Sequence, residues 1–122
     1  MIIKEHQILE NGFEYEIVGF KFQKNIKNEI ESYIDITLQK NEEIKRLRFL
    51  SPINLKIENG FHMSYGFRII DSSDKFLDHK IEVENFEDRS IYFRARKVVD
   101  LDKITETELE VLNVEFTYNL ER

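Results

Sequence analysis

Apolar and polar residues take turns along most of this chain, as in Ile34-Asp35-Ile36-Thr37-Leu38, Lys45-Arg46-Leu47-Arg48-Phe49 and Lys80-Ile81-Glu82-Val83-Glu84. A period of two puts alternate side chains on opposite faces of an extended strand, the pattern of a half-buried antiparallel sheet. It predicts strands over Ile2–Leu9, Phe13–Gln23, Tyr33–Gln39, Ile44–Phe49, Asn54–Glu58, Ser64–Ile70, Lys80–Asn85 and Ile91–Val98. Turn residues separate them. Asn11-Gly12 and Asn59-Gly60 supply positive backbone dihedrals, Ser51-Pro52 imposes an extended break, and Asp71-Ser72-Ser73-Asp74 forms a loop.

The C-terminal segment fits two elements. Thr105 and Glu108 form a capping box, with Ile104 and Leu109 as a hydrophobic staple, which would start one short helix. The alternation of Thr105, Thr107, Leu109 and Val111 with Glu106, Glu108 and Glu110 fits a strand instead. Val114, Phe116, Tyr118 and Leu120 continue it in shifted phase, so the strand reading carries a bulge near Leu112-Asn113. The expected fold is therefore all-β, an antiparallel sandwich or open barrel of about 8–9 strands, in a single domain covering residues 1–122.

Side-chain parity also sets register. If Lys40–Glu43 closes a hairpin, Ile36 faces Leu47 and Ile34 faces Phe49 inside, and Asp35 lies opposite Arg48 outside. Around 86–90 the same reasoning pairs Val83 with Phe93 and Ile81 with Ala95 inside. Glu82 then meets Arg94, and Glu84 meets Tyr92, on the outer side.

Composition agrees with strands. Ala95 is the only alanine, while Ile, Phe, Tyr, Val and Thr are plentiful. No apolar run approaches the roughly 20 residues of a membrane helix. The start, Met1-Ile2-Ile3-Lys4-Glu5-His6, lacks the basic and then apolar regions of a secretion signal, so the expected location is cytoplasmic. With no cysteine, disulfides and thiolate metal sites are excluded.

Charge is uneven. The net charge is -6, and from Val99 onward seven carboxylates face only Lys103 and Arg122, a local balance of -5. A basic partner could be drawn to that segment, and the outward-facing candidates are Glu106, Glu108 and Glu110. The simpler role of such residues is solubility.

The outward residues Arg46, Arg48, Tyr92, Arg94 and Arg96 resemble a stripe for stacking single-stranded nucleic acid. Cross-strand carboxylates would neutralise most of it, so nucleic acid is not expected as a partner. Lys80 opposite Arg96, with His79 and Lys97 adjacent, is the exception: like charges gather there. Either the register is off there, or something anionic offsets them, Asp100 and Asp102 from within the chain or an external anion.

Signs of catalysis are sparse. No glycine-rich phosphate loop, nucleophile elbow or histidine pair at metal spacing occurs. His62 could serve as a loop base, though a histidine without a partner is more often an ordinary polar residue. Asp71 and Asp74 offer oxygen ligands without the rest of a calcium loop. No cofactor or metal is expected, and binding is favoured over catalysis. An aromatic-lined ligand pocket could form from Phe20, Phe22, Tyr65, Phe67 and Tyr118, although ten Phe and five Tyr serve a packed core equally well.

The successions Ser51-Pro52-Ile53-Asn54-Leu55-Lys56-Ile57-Glu58-Asn59-Gly60-Phe61, Ile69-Ile70-Asp71-Ser72-Ser73, Val83-Glu84-Asn85-Phe86-Glu87 and Ile91-Tyr92-Phe93-Arg94-Ala95 resemble small bacterial proteins, some grouped with the immunity proteins of toxin systems. That resemblance implies a protein that works by binding another protein. The expected function is a non-enzymatic protein-binding domain, in its concrete form an immunity-type inhibitor presenting an acidic surface to a basic partner. A small-ligand module is the alternative, and the protein itself would be a monomer or a homodimer.

Overall fold

The computed structural model describes residues 4–24, 32–58, 67–85 and 90–104. Its strands are β1 (Glu16–Gln23), β2 (Tyr33–Lys40), β3 (Glu43–Leu50), β4 (Ile53–Ile57), β5 (Phe67–Asp71), β6 (Ile81–Asn85), β7 (Ile91–Ala95) and β8 (Lys97–Asp100). They form two antiparallel four-stranded sheets, in the orders β1-β2-β3-β8 and β4-β7-β6-β5. The expected all-β class is what the chain adopts, and no helix among the described residues is long and apolar enough to cross a membrane.

The inward positions set by parity meet between the sheets. Ile34, Ile36, Leu38, Leu47 and Phe49 come from one sheet, and Phe67, Ile69, Val83, Ile91, Phe93 and Ala95 from the other. All are fully buried. Phe49 and Phe93 meet edge to face with centroids 5.1 Å apart, a geometry favoured by the ring quadrupoles.

Both hairpin registers hold. Ile34 pairs with Phe49, Ile36 with Leu47 and Asp35 with Arg48. Ile81 pairs with Ala95, Glu82 with Arg94, Val83 with Phe93 and Glu84 with Tyr92. The first hairpin closes more tightly than a four-residue loop, because Lys40 and Glu43 already pair and Asn41 turns the chain at φ 56°.

Three local expectations are corrected. The strand over Ile2–Leu9 reduces, among residues 4–9, to a single bridge between Glu5 and Ile70. The His6 N–H donates to Ile69 and the Asp71 N–H to Lys4, and then the chain turns so that Leu9 reaches the core. That turn explains why β1 begins only at Glu16: Gly12–Glu14 is a single 3-10 turn. Asn11 supplies its positive φ of 57°. Gly12 serves close approach instead, since a Cβ there would lie 2.4 Å from the Phe67 carbonyl oxygen.

The second correction concerns Ile91–Val98. The run is two strands in different sheets, divided at Arg96, with β7 beside β6 and β8 beside β3. Consecutive buried residues mark the crossing, Val98-Val99 here and Phe49-Leu50 where β3 leads into β4. A chain passing from one layer to the other faces the core with successive residues, which breaks a period of two.

Third, the break before Pro52 is not extended, because Ser51 has φ 51°. A further left-handed residue, Asn54 at φ 58°, accompanies a register shift between Ile53 and Lys56 in β4. The strand-or-helix question over 105–112, Asn59-Gly60, and the residues His62, Tyr65, Glu106, Glu108, Glu110 and Tyr118 lie outside the described residues.

Candidate functional site

Strand alternation that buries Val83 and Phe93 must turn Glu82, Glu84, Tyr92 and Arg94 to the other side of the sheet. With β5 and β4 on the flanks, this outer face acquires two ordered rows. One row runs Lys56, Tyr92, Glu84, Arg68, and the next runs Ile53, Arg94, Glu82, Ile70. Glu84 of β6 thus lies between Arg68 and Tyr92, and Glu82 between Ile70 and Arg94.

The face is concave. A groove of about 590 Å³ lies over it, floored by Arg68, Ile70, Glu82, Glu84 and Tyr92 and walled by the 71–75 segment, Lys4, Lys56 of β4 and Glu58 just after it. Most of the residues that line it are charged.

Hydrogen bonds fix the floor. Arg68 donates through Nε to Glu84 at 2.7 Å and forms an ion pair with it. Glu82 accepts from the Ser72 hydroxyl at Oε1 and from the Tyr92 hydroxyl at Oε2, the latter at 2.7 Å, while Lys75 lies 3.9 Å away. Burial would raise the Glu82 pKa, but those two hydrogen bonds, with Lys75 and Arg94, outweigh it and leave the carboxyl below its ordinary value. Glu82 is therefore a permanent anion near neutral pH and a weak base. Tyr92 responds in the opposite sense: burial, then the Glu82 carboxylate that it donates to, pushes its phenol up to about 12. It acts as a fixed donor.

The wall is tied down separately. Asp71 accepts from the Ser73 N–H at 3.0 Å and sits 3.4 Å from the Lys4 ammonium. Its hydrogen bonds from Ser73, helped by Lys4, hold the carboxyl at about 2 against the opposing effect of burial. Lys56, Glu58 and Asp74 on the rim make no ion pair or side-chain hydrogen bond among the described residues.

The residues considered from sequence are dispersed. Phe67 is fully buried, Phe20 packs against the core from its edge, and Phe22 on β1 is 41% exposed. None of these three lines the groove. Lys80 and Arg96 lie away from it, at the end of the sandwich where β7 gives way to β8. Arg48 makes the expected pair with Asp35, at 2.7 and 2.9 Å, and its guanidinium stacks 3.9 Å above the Tyr33 ring.

Arg94 departs from expectation. Although Glu82 is opposite it in the ladder, its guanidinium lies 3.6 Å over the Phe76 ring, and Glu82 is taken by Ser72 and Tyr92. Asp102 does not neutralise the Lys80–Arg96 corner, because it pairs with Arg46.

The groove is not legible strand by strand, since each of its strands in isolation reads as an ordinary solvated face. The available signal was that outward positions on adjacent hairpin strands were all capable of hydrogen bonding. Among the described residues no cluster of histidine and carboxylate side chains could hold a metal ion. Comparison of the chain with family models, with curated proteins and with solved structures finds no match.

Proposed function

We propose that this chain is a binding domain that captures another protein across the outer face of the β4-β7-β6-β5 sheet. The observation that carries the reading is the fixed floor of the groove. Arg68, Glu84, Glu82 and Tyr92 are already held in one arrangement by each other and by Ser72. Little side-chain ordering then remains to oppose association.

The unpaired rim residues Lys56, Glu58 and Asp74 supply charges that can meet complementary groups on a partner. Such charges chiefly govern encounter and register. The acidic C-terminal segment, with Glu106, Glu108 and Glu110, would add attraction for a basic surface. In its concrete form, resting on the sequence resemblance, the domain is an immunity-type inhibitor that occludes a toxin.

A second reading is favoured by the size of the groove, which falls within the ~300–1,000 Å³ typical of small-molecule sites. Its charged lining would suit a polar ligand rather than the apolar one expected of an aromatic pocket.

Capture experiments separate these readings. The immobilised native chain should retain a protein from lysate of the source cells, and a chain carrying Glu58→Lys and Asp74→Lys should lose it. Equal retention by both would overturn the assignment of this face. A competing small polar metabolite recovered from the native chain alone would transfer the site to the second reading.

A further inference from the structure

The two crossings between sheets lie side by side, and cationic side chains collect there. Ile81 opposite Ala95 is the last rung of the β6–β7 ladder on this side; Lys80 and Arg96 are the next residues of the two strands beyond that rung, and Lys97 follows. His79 is half-buried beside them. Burial lowers its pKa, and the charges of Arg96 and Arg94 lower it further, while Asp78 and a backbone hydrogen bond at Ser51 act in the opposite direction.

Among the nearby carboxylates, Asp78 is exposed and acts on the adjoining His79, whereas Asp100, which ends β8, and Asp102 are engaged elsewhere. Asp102 binds Arg46, and the Asp100 carboxylate accepts from the Asp102 N–H at 2.9 Å. The side chains of Lys80, Arg96 and Lys97 make no ion pair or hydrogen bond among the described residues. Arg94 is held flat against Phe76, and its Nε is buried with no hydrogen-bond partner. Gathering like charges around a half-buried imidazole is unfavourable unless something anionic offsets them.

We propose that this corner is a binding site for a phosphate-class oxyanion, gripped by Arg96 and Lys80 beside Arg94 and His79. A guanidinium offers paired N–H donors matched to the oxygens of such a group, and the lysine ammonium adds a compact charge. A dianion fits better than a monoanion because several cations need neutralising at once. Free phosphate and a phosphomonoester carry the same chemistry. None of Arg96, Lys80, Arg94 and His79 lines the groove, although the Arg94 charge also acts on Glu82 and Tyr92 in its floor.

The test follows the His79 ring resonances by NMR while inorganic phosphate replaces chloride at constant ionic strength, with O-phosphoserine in a parallel series. Saturation by either compound supports the site and identifies the source that it accepts. Bound anion should also bring the His79 pKa back up toward its ordinary value, by offsetting Arg94 and Arg96. Arg96→Gln and, separately, the exposed Lys80→Gln should each weaken binding by about tenfold or more, with native amide spectra showing that the fold is retained. Saturation by neither compound, or an equal affinity in both variants and the native chain, would overturn the proposal.

Discussion

The backbone N–H of Arg96 donates to the carbonyl of Leu50 at 2.9 Å. Each of these residues ends a run of alternation just where the chain changes sheets, Leu50 leading from β3 into β4 and Arg96 from β7 into β8. The bond therefore clamps the two crossings together, and the Leu50 side chain is buried beneath them. Leu50→Ala should cost about 2–5 kcal/mol. Ile44→Ala in the same strand, at a residue 54% exposed, should cost under about 0.5 kcal/mol. Urea denaturation of the two variants checks the contrast, and similar losses would mean that the crossing is not a point of tight packing.

Gly12 is a position where space decides the residue. An added Cβ would meet the Phe67 carbonyl oxygen at 2.4 Å, and backbone cannot swing aside as a side chain can. Gly12→Ala should destabilise by roughly 1–3 kcal/mol, whereas Asn11→Gly, which keeps the left-handed turn accessible, should change stability by only a few tenths of a kcal/mol. Thermal unfolding of the pair would reveal a wrong assignment as a neutral Gly12→Ala.

Arg48 combines a two-point contact with Asp35 and stacking on Tyr33. Lysine keeps the charge and loses both geometries. Arg48→Lys is expected to lose about 1 kcal/mol, close to the loss in Arg48→Gln. Full recovery of stability by lysine would show that charge alone matters there.

Two groups of the groove give opposite pH signatures. The folded-state pKa of Asp71, about 2, lies below the unfolded value of about 3.9, so its contribution is present above pH ~4 and is lost as pH falls toward 2. The stability gap between the native chain and Asp71→Asn should close over that window. Tyr92 is raised to about 12, so its contribution is complete below pH ~10 and disappears as pH rises through 12. Phenolate absorbance should show a late-titrating tyrosine that is absent from Tyr92→Phe; a native chain whose tyrosines all ionise near 10 would contradict the Tyr92–Glu82 bond.

For the acidic segment, replacing Glu106, Glu108 and Glu110 by Gln should slow association with a captured basic partner at low salt. The difference should shrink as salt shortens the screening length to about 8 Å near physiological ionic strength. Stopped-flow or surface-binding kinetics at two salt levels provide the measurement, and unchanged rates at both would reduce these carboxylates to a solubility role.

Alternation and turn residues made the two central hairpins legible down to individual pairs. Ile34 with Phe49 and Val83 with Phe93 follow from parity, because a slip of one residue would expose every core side chain. The same local information misled at Ile91–Val98, where β-propensity continues unbroken through the crossing at Arg96. It also overextended the strand at Ile2–Leu9, where the turn that follows draws Leu9 into the core.

The groove needed more than parity. Arg68, Glu84 and Tyr92 belong to three strands, and only the β5-β6-β7 order aligns them in a row. Ser72 comes from a loop, and its hydroxyl draws Glu82 away from Arg94. Which residues alternate, and hence the all-β class and the inner faces, was settled by local chemistry, since backbone pleating and turn dihedrals depend on near neighbours in sequence. Which sheet each strand joined, and which partner each outer charge chose, was settled by packing, because those energies depend on groups that only the folded chain brings within reach.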